Sequence, residues 1–417
     1  MSWPNVTIAE VAQVFDGPHA TPKTVEEGPI FLGISSLERG RLNLSVTRHV
    51  TREDFAKWTK RVAPRPDDVV FSYETKIGEA AIIPEGLECC LGRRMGLVRA
   101  DTRRLNPRFF LYYYLSPDFQ EFLRSRTIPG ATVDRIALKE FPSFRIPLPS
   151  IADQKQISDI LGSLDDKIEL NRRTNETLEA MAQAIFRDWF VDFGPTRRKI
   201  DGASDPLTIM GGLVTDPDRA QELADLFPDR LGDNGLPEGW TLGHLEDVLE
   251  LAYGKALNKN DRRQGSYPVY GSGGIGGWHD TALVQGPSII VGRKGTVGSL
   301  YWEDRDFYPI DTVFFVKSQW PMAYCFYLLQ TLGLHNMNTD AAVPGLNRNN
   351  AYRCETPIVR PEIIGAFQSI AGHLRQKIAA NNEQVQTLAN TRDLLLPKLM
   401  SGEIRLRDAE KLAEDAA

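Results

Sequence analysis

The chain repeats itself, and this duplication restricts its possible folds more than any single motif does. Four segments recur in the same order. Residues 3–17 (WPNVTIAEVAQVFDG) align with residues 240–254 (WTLGHLEDVLELAYG), sharing the tryptophan, the apolar spacing and the closing glycine. DDVVFSYETKIG, ending at Gly78, aligns with GPSIIVGRKGTVG, ending at Gly298. PRFFLYYYL, from Pro107 to Leu115, matches PMAYCFYLL, from Pro321 to Leu329. Finally, Leu164, Lys167, Ile168, Asn171 and Leu178 fall on Leu374, Lys377, Ile378, Asn381 and Leu388. One such alignment could be accidental, but four in order are not.

Each copy reads as a mixed globular unit followed by a long helix. Short β-type runs such as VVF and SIIV close on glycine turns, and an aromatic helix follows Pro107 or Pro321. The expected division is two globular units (1–150 and 237–360), two long helices (151–193 and 361–402), a connector (194–236) and a tail (403–417). The connector is rich in Gly, Pro and Asp and reads as irregular. The expected fold class is α/β (α+β), a tandem pseudo-twofold repeat joined by two long antiparallel coiled-coil helices.

The helices carry the clearest physical signal. Pro147 and Pro149 keep the approach to the first extended, and Ser150 with Asp153 forms a capping box. Apolar residues then alternate at spacings of four and three: Ile157, Leu161, Leu164, Ile168, Leu178, Ala182 and Ile185, with Asn171 and Asn175 in the same stripe. The second helix gives Phe367, Ala371, Leu374, Ile378, Val385, Leu388 and Leu395, with Asn381 in its stripe. Pro361 suits its first turn and Pro397 is expected to end it. Such spacing makes a seam that needs a partner helix. An antiparallel intramolecular pair would bring Asn171 and Asn381 together and fix the register. Thirty-five to forty helical residues reach on the order of 50–60 Å at ~1.5 Å each. That is ample to hold two modules one B-DNA turn apart, about 34–36 Å. The exposed flanks, Asp165, Asp166, Glu169, Arg172 and Arg173, read as solvated faces.

Bulk properties exclude several classes. No run approaches the ~18 apolar residues of a membrane span, and MSWPNVTIAE lacks the pattern of a signal peptide. Cys89, Cys90, Cys325 and Cys354 have no metal-ligand spacing, so reduced thiols in a cytoplasmic protein are expected.

Several phrases taken together resemble the type I restriction–modification specificity subunits. They are YPVYGSGGIGGWHD, SIIVGRKGTVGSLYW, FYPIDTVFFV, and AIFRDWFVDFGP followed by LFPDR and LPEGW. The resemblance extends from Trp3 to about Ile404. It implies two target-recognition domains, each reading one half of a bipartite, asymmetric sequence in duplex DNA. It also implies that the helices set the gap and dock two methyltransferase subunits, which support the restriction subunits. S-adenosylmethionine, ATP and Mg are then expected on those partners, with no cofactor, metal or catalytic residue on this chain. Consistent with that division, the sequence has neither an Asn/Asp-Pro-Pro-aromatic methylation motif nor a GxxxxGK[ST] phosphate loop.

A net charge of −6 fits a DNA binder only if the charge is unevenly placed. Residues 201–240 alone carry about −7, two arginines against nine carboxylates, whereas residues 1–150 carry about +3. The basic glycine turns are the expected DNA contacts. They are Tyr73, Lys76, Arg93 and Arg94 in the first copy and Arg293, Lys294 and Thr296 in the second. A strand ending in such a turn offers cations and backbone N–H groups together. Arg124, Arg126, Arg135, Arg262 and Arg263 are weaker candidates, and Arg99, Arg103, Arg104 and Arg108 are expected to contact phosphate or pack.

Two other motifs compete with this reading. Gly271, Gly273 and Gly276 satisfy GxGxxG, but Gly277-Trp278-His279-Asp280 follows where a dinucleotide site needs a helix, so a tight turn is expected. Pro66-Asp67 with Glu74 and Lys76 resembles a metal-dependent nuclease constellation. A stand-alone nuclease built on it and a helical scaffold without DNA binding are the rival functions. His279 and His335 are isolated and read as structural.

Overall fold

The computed structural model describes residues 3–19, 21–130, 133–338 and 345–417. Two long helices dominate it, Ile151–Phe190 and Pro361–Ser401. The first starts at the expected box: the Ser150 hydroxyl accepts from the Asp153 backbone N–H (3.2 Å) and donates to the Asp153 carboxylate (2.8 Å). The chain divides into two compact units, and each takes part of both helices. One unit holds residues 1–171 and 383–417, the other residues 172–382.

In the first unit an antiparallel sheet runs in the order Ala12–Asp16, Met95–Ala100, Val69–Ser72, Ala80–Ile82. A second sheet places Val25–Leu32 between an antiparallel strand, Arg48–His49, and a parallel one, Cys89–Leu91. A short pair, Asn5–Thr7 with Arg145–Pro147, closes the domain near the start of the long helix. Aromatic rings fill the core, Phe71, Phe109, Tyr114, Phe119 and Phe141 among them. Phe71 stacks on Phe141 at 4.4 Å. The same core takes in Ile157, Leu161, Leu164 and Ile168 of the first long helix and Leu388, Leu395 and Leu399 of the second.

The second unit has the same strand plan. Its main sheet runs Glu250–Tyr253, Val313–Lys317, Ser288–Gly292, Leu300–Glu303. Tyr267–Gly271 lies between antiparallel Gly274–His279 and parallel Tyr308–Pro309, and Thr241–His244 pairs with Glu355–Ile358. Trp189, Phe186, Phe190 and Phe367 from the helices pack with Tyr324, Tyr327 and Trp240.

The seam is antiparallel within each unit. In the first, Asp165 on one helix meets Arg392 on the other (2.8 Å), and Asn171 donates to Gln384 (2.8 Å). Asp165 also accepts from the Tyr112 hydroxyl (2.8 Å). In the second, Asn381 donates to Asn175 (2.8 Å), and Glu179 receives Arg375 (2.8 Å), the Tyr327 hydroxyl (3.1 Å) and Gln330 (3.4 Å). Each unit thus ties both helices to its sheet domain through one carboxylate on the first helix. Leu164, Ile168, Ile378 and Leu388 are buried, and Leu178 and Leu374 half-buried.

Three expectations need correction. Asn171 and Asn381 are both buried, but their partners are Gln384 and Asn175, not each other. The seam is shifted by about one turn from the alignment that would oppose them. Pro397 does not end the second helix, which continues to Ser401 because Leu399 and Met400 bury into the core and hold the last turn. The connector is not irregular either. It folds into helices Gly194–Ile200, Pro206–Ile209 and Pro217–Ala224, and Met210, Leu223 and Phe227 join the core of the second unit. The tail adds an amphipathic helix, Leu406–Ala416, that buries Ala409 and Ala413. No helix among the described residues is long and apolar enough to cross a membrane.

Candidate nucleic-acid interface

The two glycine turns leave corresponding strands and are held by the same backbone bonds. Tyr73 N–H donates to the Arg94 carbonyl (3.3 Å), as Arg293 N–H does to that of Thr312 (2.9 Å). The Ile136 N–H donates to the Tyr73 carbonyl (2.8 Å), as the Leu346 N–H does to that of Arg293 (2.8 Å). Glu74 bridges Arg135 where Lys294 bridges Gly345. Gly78 and Gly298 both take positive φ, +95° and +69°, and a Cβ at either would collide, with Gln120 or with the His335 backbone. Only glycine closes this turn.

On that common frame the side chains differ. Tyr73 is buried, and its hydroxyl donates to Asp16 (2.9 Å). It therefore braces the first turn from inside instead of presenting itself to a duplex, contrary to expectation. Burial and the Asp16 carboxylate both hold its phenol well above the ordinary range. Arg94, in the left-handed region (φ 72°), is committed to Glu74 at 2.8 Å and to Thr75 at 3.3 Å. Lys76 is exposed on the first turn, and Arg93 on the adjoining turn between Cys89–Leu91 and Met95–Ala100.

In the second unit Lys294 and Thr296 are exposed and Arg293 is half-buried. Arg293 donates to the Asp311 carbonyl (2.9 Å) and lies 4.9 Å from the centre of the Tyr253 ring. Arg348 lies 4.8 Å from the same centre and 5.7 Å from that of Tyr352. Neither Tyr253 nor Arg348 was expected. The signal was available for the tyrosine, since the first repeat sets Asp16 opposite Tyr253 and the second sets Tyr73 opposite Arg293. The contact between those two positions is what the sequence does not display.

The weaker candidates are mostly spoken for. Arg99 grips the buried Asp68 with two bonds (2.8 and 2.6 Å), Arg103 pairs with Asp101 (3.0 Å), and Arg108 with Asp166 (2.6 Å). Arg104 caps the Glu10 carbonyl (2.7 Å), Arg262 that of Gly276 (2.6 Å), and Arg124 that of Gln120 (3.2 Å). Arg263 pairs with Asp280 (2.9 Å), Arg126 lies over Phe122 (5.3 Å), and Arg135 stays exposed. His279 is buried and accepts the Arg263 N–H through Nδ1 (3.0 Å), a structural role. The GxGxxG glycines form the hairpin between Tyr267–Gly271 and Gly274–His279. Of the nuclease-like residues, Asp67 sits in a turn with φ 70° and Glu74 is engaged by Arg94. Among the described residues no three His, Cys, Asp or Glu side chains are grouped to hold a metal ion.

Comparison with known proteins agrees with the duplicated plan. The family model for the type I restriction modification DNA specificity domain matches twice, over residues 2–180 and 237–341. The chain is 28% identical over 367 residues to the type I restriction enzyme HindI specificity subunit of Haemophilus influenzae, covering 72% of this chain and 77% of that protein. It is 22% identical over 390 residues to the MjaIX specificity subunit of Methanocaldococcus jannaschii, covering 87% and 83%. The fold is similar to that of a type I restriction–modification S subunit from M. genitalium, with a TM-score of 0.58, 15% identity and coverage of 95% and 96%. The chain belongs to the family of type I restriction–modification DNA specificity subunits.

Proposed function

We propose that each unit reads one half of a bipartite, asymmetric site in duplex DNA, the long helices setting the gap and docking two methyltransferase subunits. The observation that supports this most is the repeated glycine turn: the same backbone bonds in both units, with different side chains on it. A shared frame with exchanged side chains suits two readers of unlike sequence, because base edges are discriminated by side chains while the backbone sets position. Lys76 and Arg93 in one unit, and Lys294 and Thr296 in the other, are the proposed base contacts, with Arg293 beside them as a contact to the DNA backbone.

Chemistry belongs to the partners in this reading. The methyl donor S-adenosylmethionine, and ATP and Mg for restriction, sit on the methyltransferase and restriction subunits, and this chain supplies geometry without a catalytic residue. It works in the cytoplasm, where its four cysteines, all free, stay reduced. The test is methylation mapping in a host expressing the chain with its methylation subunit. A split motif with a fixed gap is expected. Methylation without such a motif, or none, would refute the proposal.

A further inference from the structure

Arg293 and Arg348 both lie within 5 Å of the centre of one tyrosine ring. Their guanidinium carbons are therefore no more than about 10 Å apart, about a Debye length at 0.1 M salt, and like charges at that range repel. Neither forms an ion pair among the described residues, whereas Arg263 and Arg305 of the same unit are each matched with a carboxylate, Asp280 and Glu303. Arg348 Nε is buried without a hydrogen-bond partner. Lys294 is exposed next to Arg293, and Tyr253 itself, 49% exposed, lines an open cleft of about 640 Å³ with Lys255 and Lys317 on its walls.

We infer that Tyr253, Arg293 and Arg348 form a phosphate clamp that grips the DNA backbone beside the second half-site without reading its bases. The inference rests on the DNA-recognition reading above and adds a division of labour to it. A phosphate carries the counter-charge that two neighbouring guanidiniums lack, and each guanidinium matches two phosphate oxygens with its planar fork. A guanine edge is neutral and would leave the repulsion in place. Stacking on Tyr253 orients both forks before DNA arrives, which lowers the ordering cost of binding. The clamp belongs to one unit only. Its counterpart in the first unit is the Tyr73–Asp16 pair, a phenol donating to a carboxylate, which would repel phosphate. The two halves of the site should then contribute unequally to affinity.

The test uses the full chain in complex with its methylation subunit, on a duplex carrying the mapped site and on one without it. Arg348→Gln keeps the stem and removes the charge. It should weaken binding to both duplexes by a similar factor, of order three- to tenfold near 0.1 M salt, and lower the slope of log K against log salt by about 1. The methylated motif should be unchanged. Arg348→Lys should retain the parental slope, which separates loss of charge from loss of fold. An unchanged slope in Arg348→Gln, or a motif relaxed at one position of the second half, would overturn the clamp. Absence of any split motif for the parent chain would instead sink the DNA-recognition reading beneath it.

Discussion

Ser72 and Gly292 end corresponding strands of two sheets with the same order, and the chain leaves both through a glycine turn held by matching backbone bonds. Beyond the backbone the two regions part. The first pairs Arg94 with Glu74 and hides Tyr73 against Asp16; the second sets Lys294 in place of Glu74 and stacks Arg293 on Tyr253. Fold and chemistry are thus carried by separate atoms. Main-chain pairing and a glycine fix where the turn lies, and the side chains at these positions differ between the units. The same separation holds at the helices. Each unit ties its two helices through one carboxylate, but Arg375 on Glu179 is 12% exposed and stacked 4.4 Å from the Trp302 ring, while Arg392 on Asp165 is 28% exposed and shared with Asp393.

That contrast can be broken by mutation. The largest effect is expected from Phe367→Ala, which empties a fully buried site among Phe186, Phe190 and Tyr327 and should destabilise the second unit by about 3–5 kcal/mol in urea unfolding. Arg375→Ala comes next, at about 3 kcal/mol, because it removes a guanidinium that is only 12% exposed and stacked on Trp302 as well as breaking its pair with Glu179. The matching Arg392→Ala in the first unit should cost only about 1 kcal/mol, since that guanidinium is 28% exposed and Asp165 keeps Tyr112. Equal losses in the two units would mean that the two nodes are alike after all.

Acid sharpens the comparison further. Burial alone would raise the pKa of Glu303, but bonds from Arg305 and the Tyr270 hydroxyl bring it below the ordinary carboxylate value. A depressed folded pKa stabilises above the unfolded pKa, and that contribution is lost as pH falls through the folded one. The second unit should therefore weaken progressively below about pH 5, as unfolded glutamate, with its pKa of ~4.3, takes up its proton first. Glu303→Gln should flatten that dependence in acid melts. At the matching strand position the first unit has buried Ile83, which carries no titratable group. The smallest effect is chemical. Burial pushes the thiols of Cys89 and Cys90 up to about 12 and that of Cys325 up to about 11, whereas Cys354 is raised less and is only half-buried. Iodoacetamide at pH 8 should label Cys354 first, seen by peptide mass, and reach the first unit's pair only on unfolding.

Much of this was legible in the sequence, and the failures have physical causes. Two of the four repeats lie where the strand plans coincide and two fall on matching helices, and Ser150–Asp153 starts its helix as read. The connector was misread because Pro and Asp were counted as breakers. Asp205-Pro206 and Asp216-Pro217 are instead N-cap and first-turn residues, with each aspartate accepting a helix N–H. Tyr73 was misplaced because a tyrosine beside a basic turn looks exposed until Asp16, 57 residues away, supplies its hydroxyl with an acceptor. Arg348 was missed because it reaches Tyr253 across nearly a hundred residues of chain, a contact that periodicity does not record.

The most direct measurement exchanges residues 1–150 for the recognition domain of another specificity subunit and maps methylation in cells beside the parent chain. One half of the split motif should change while the other half and the gap stay as they were. A motif altered in both halves, or in neither, would contradict the account.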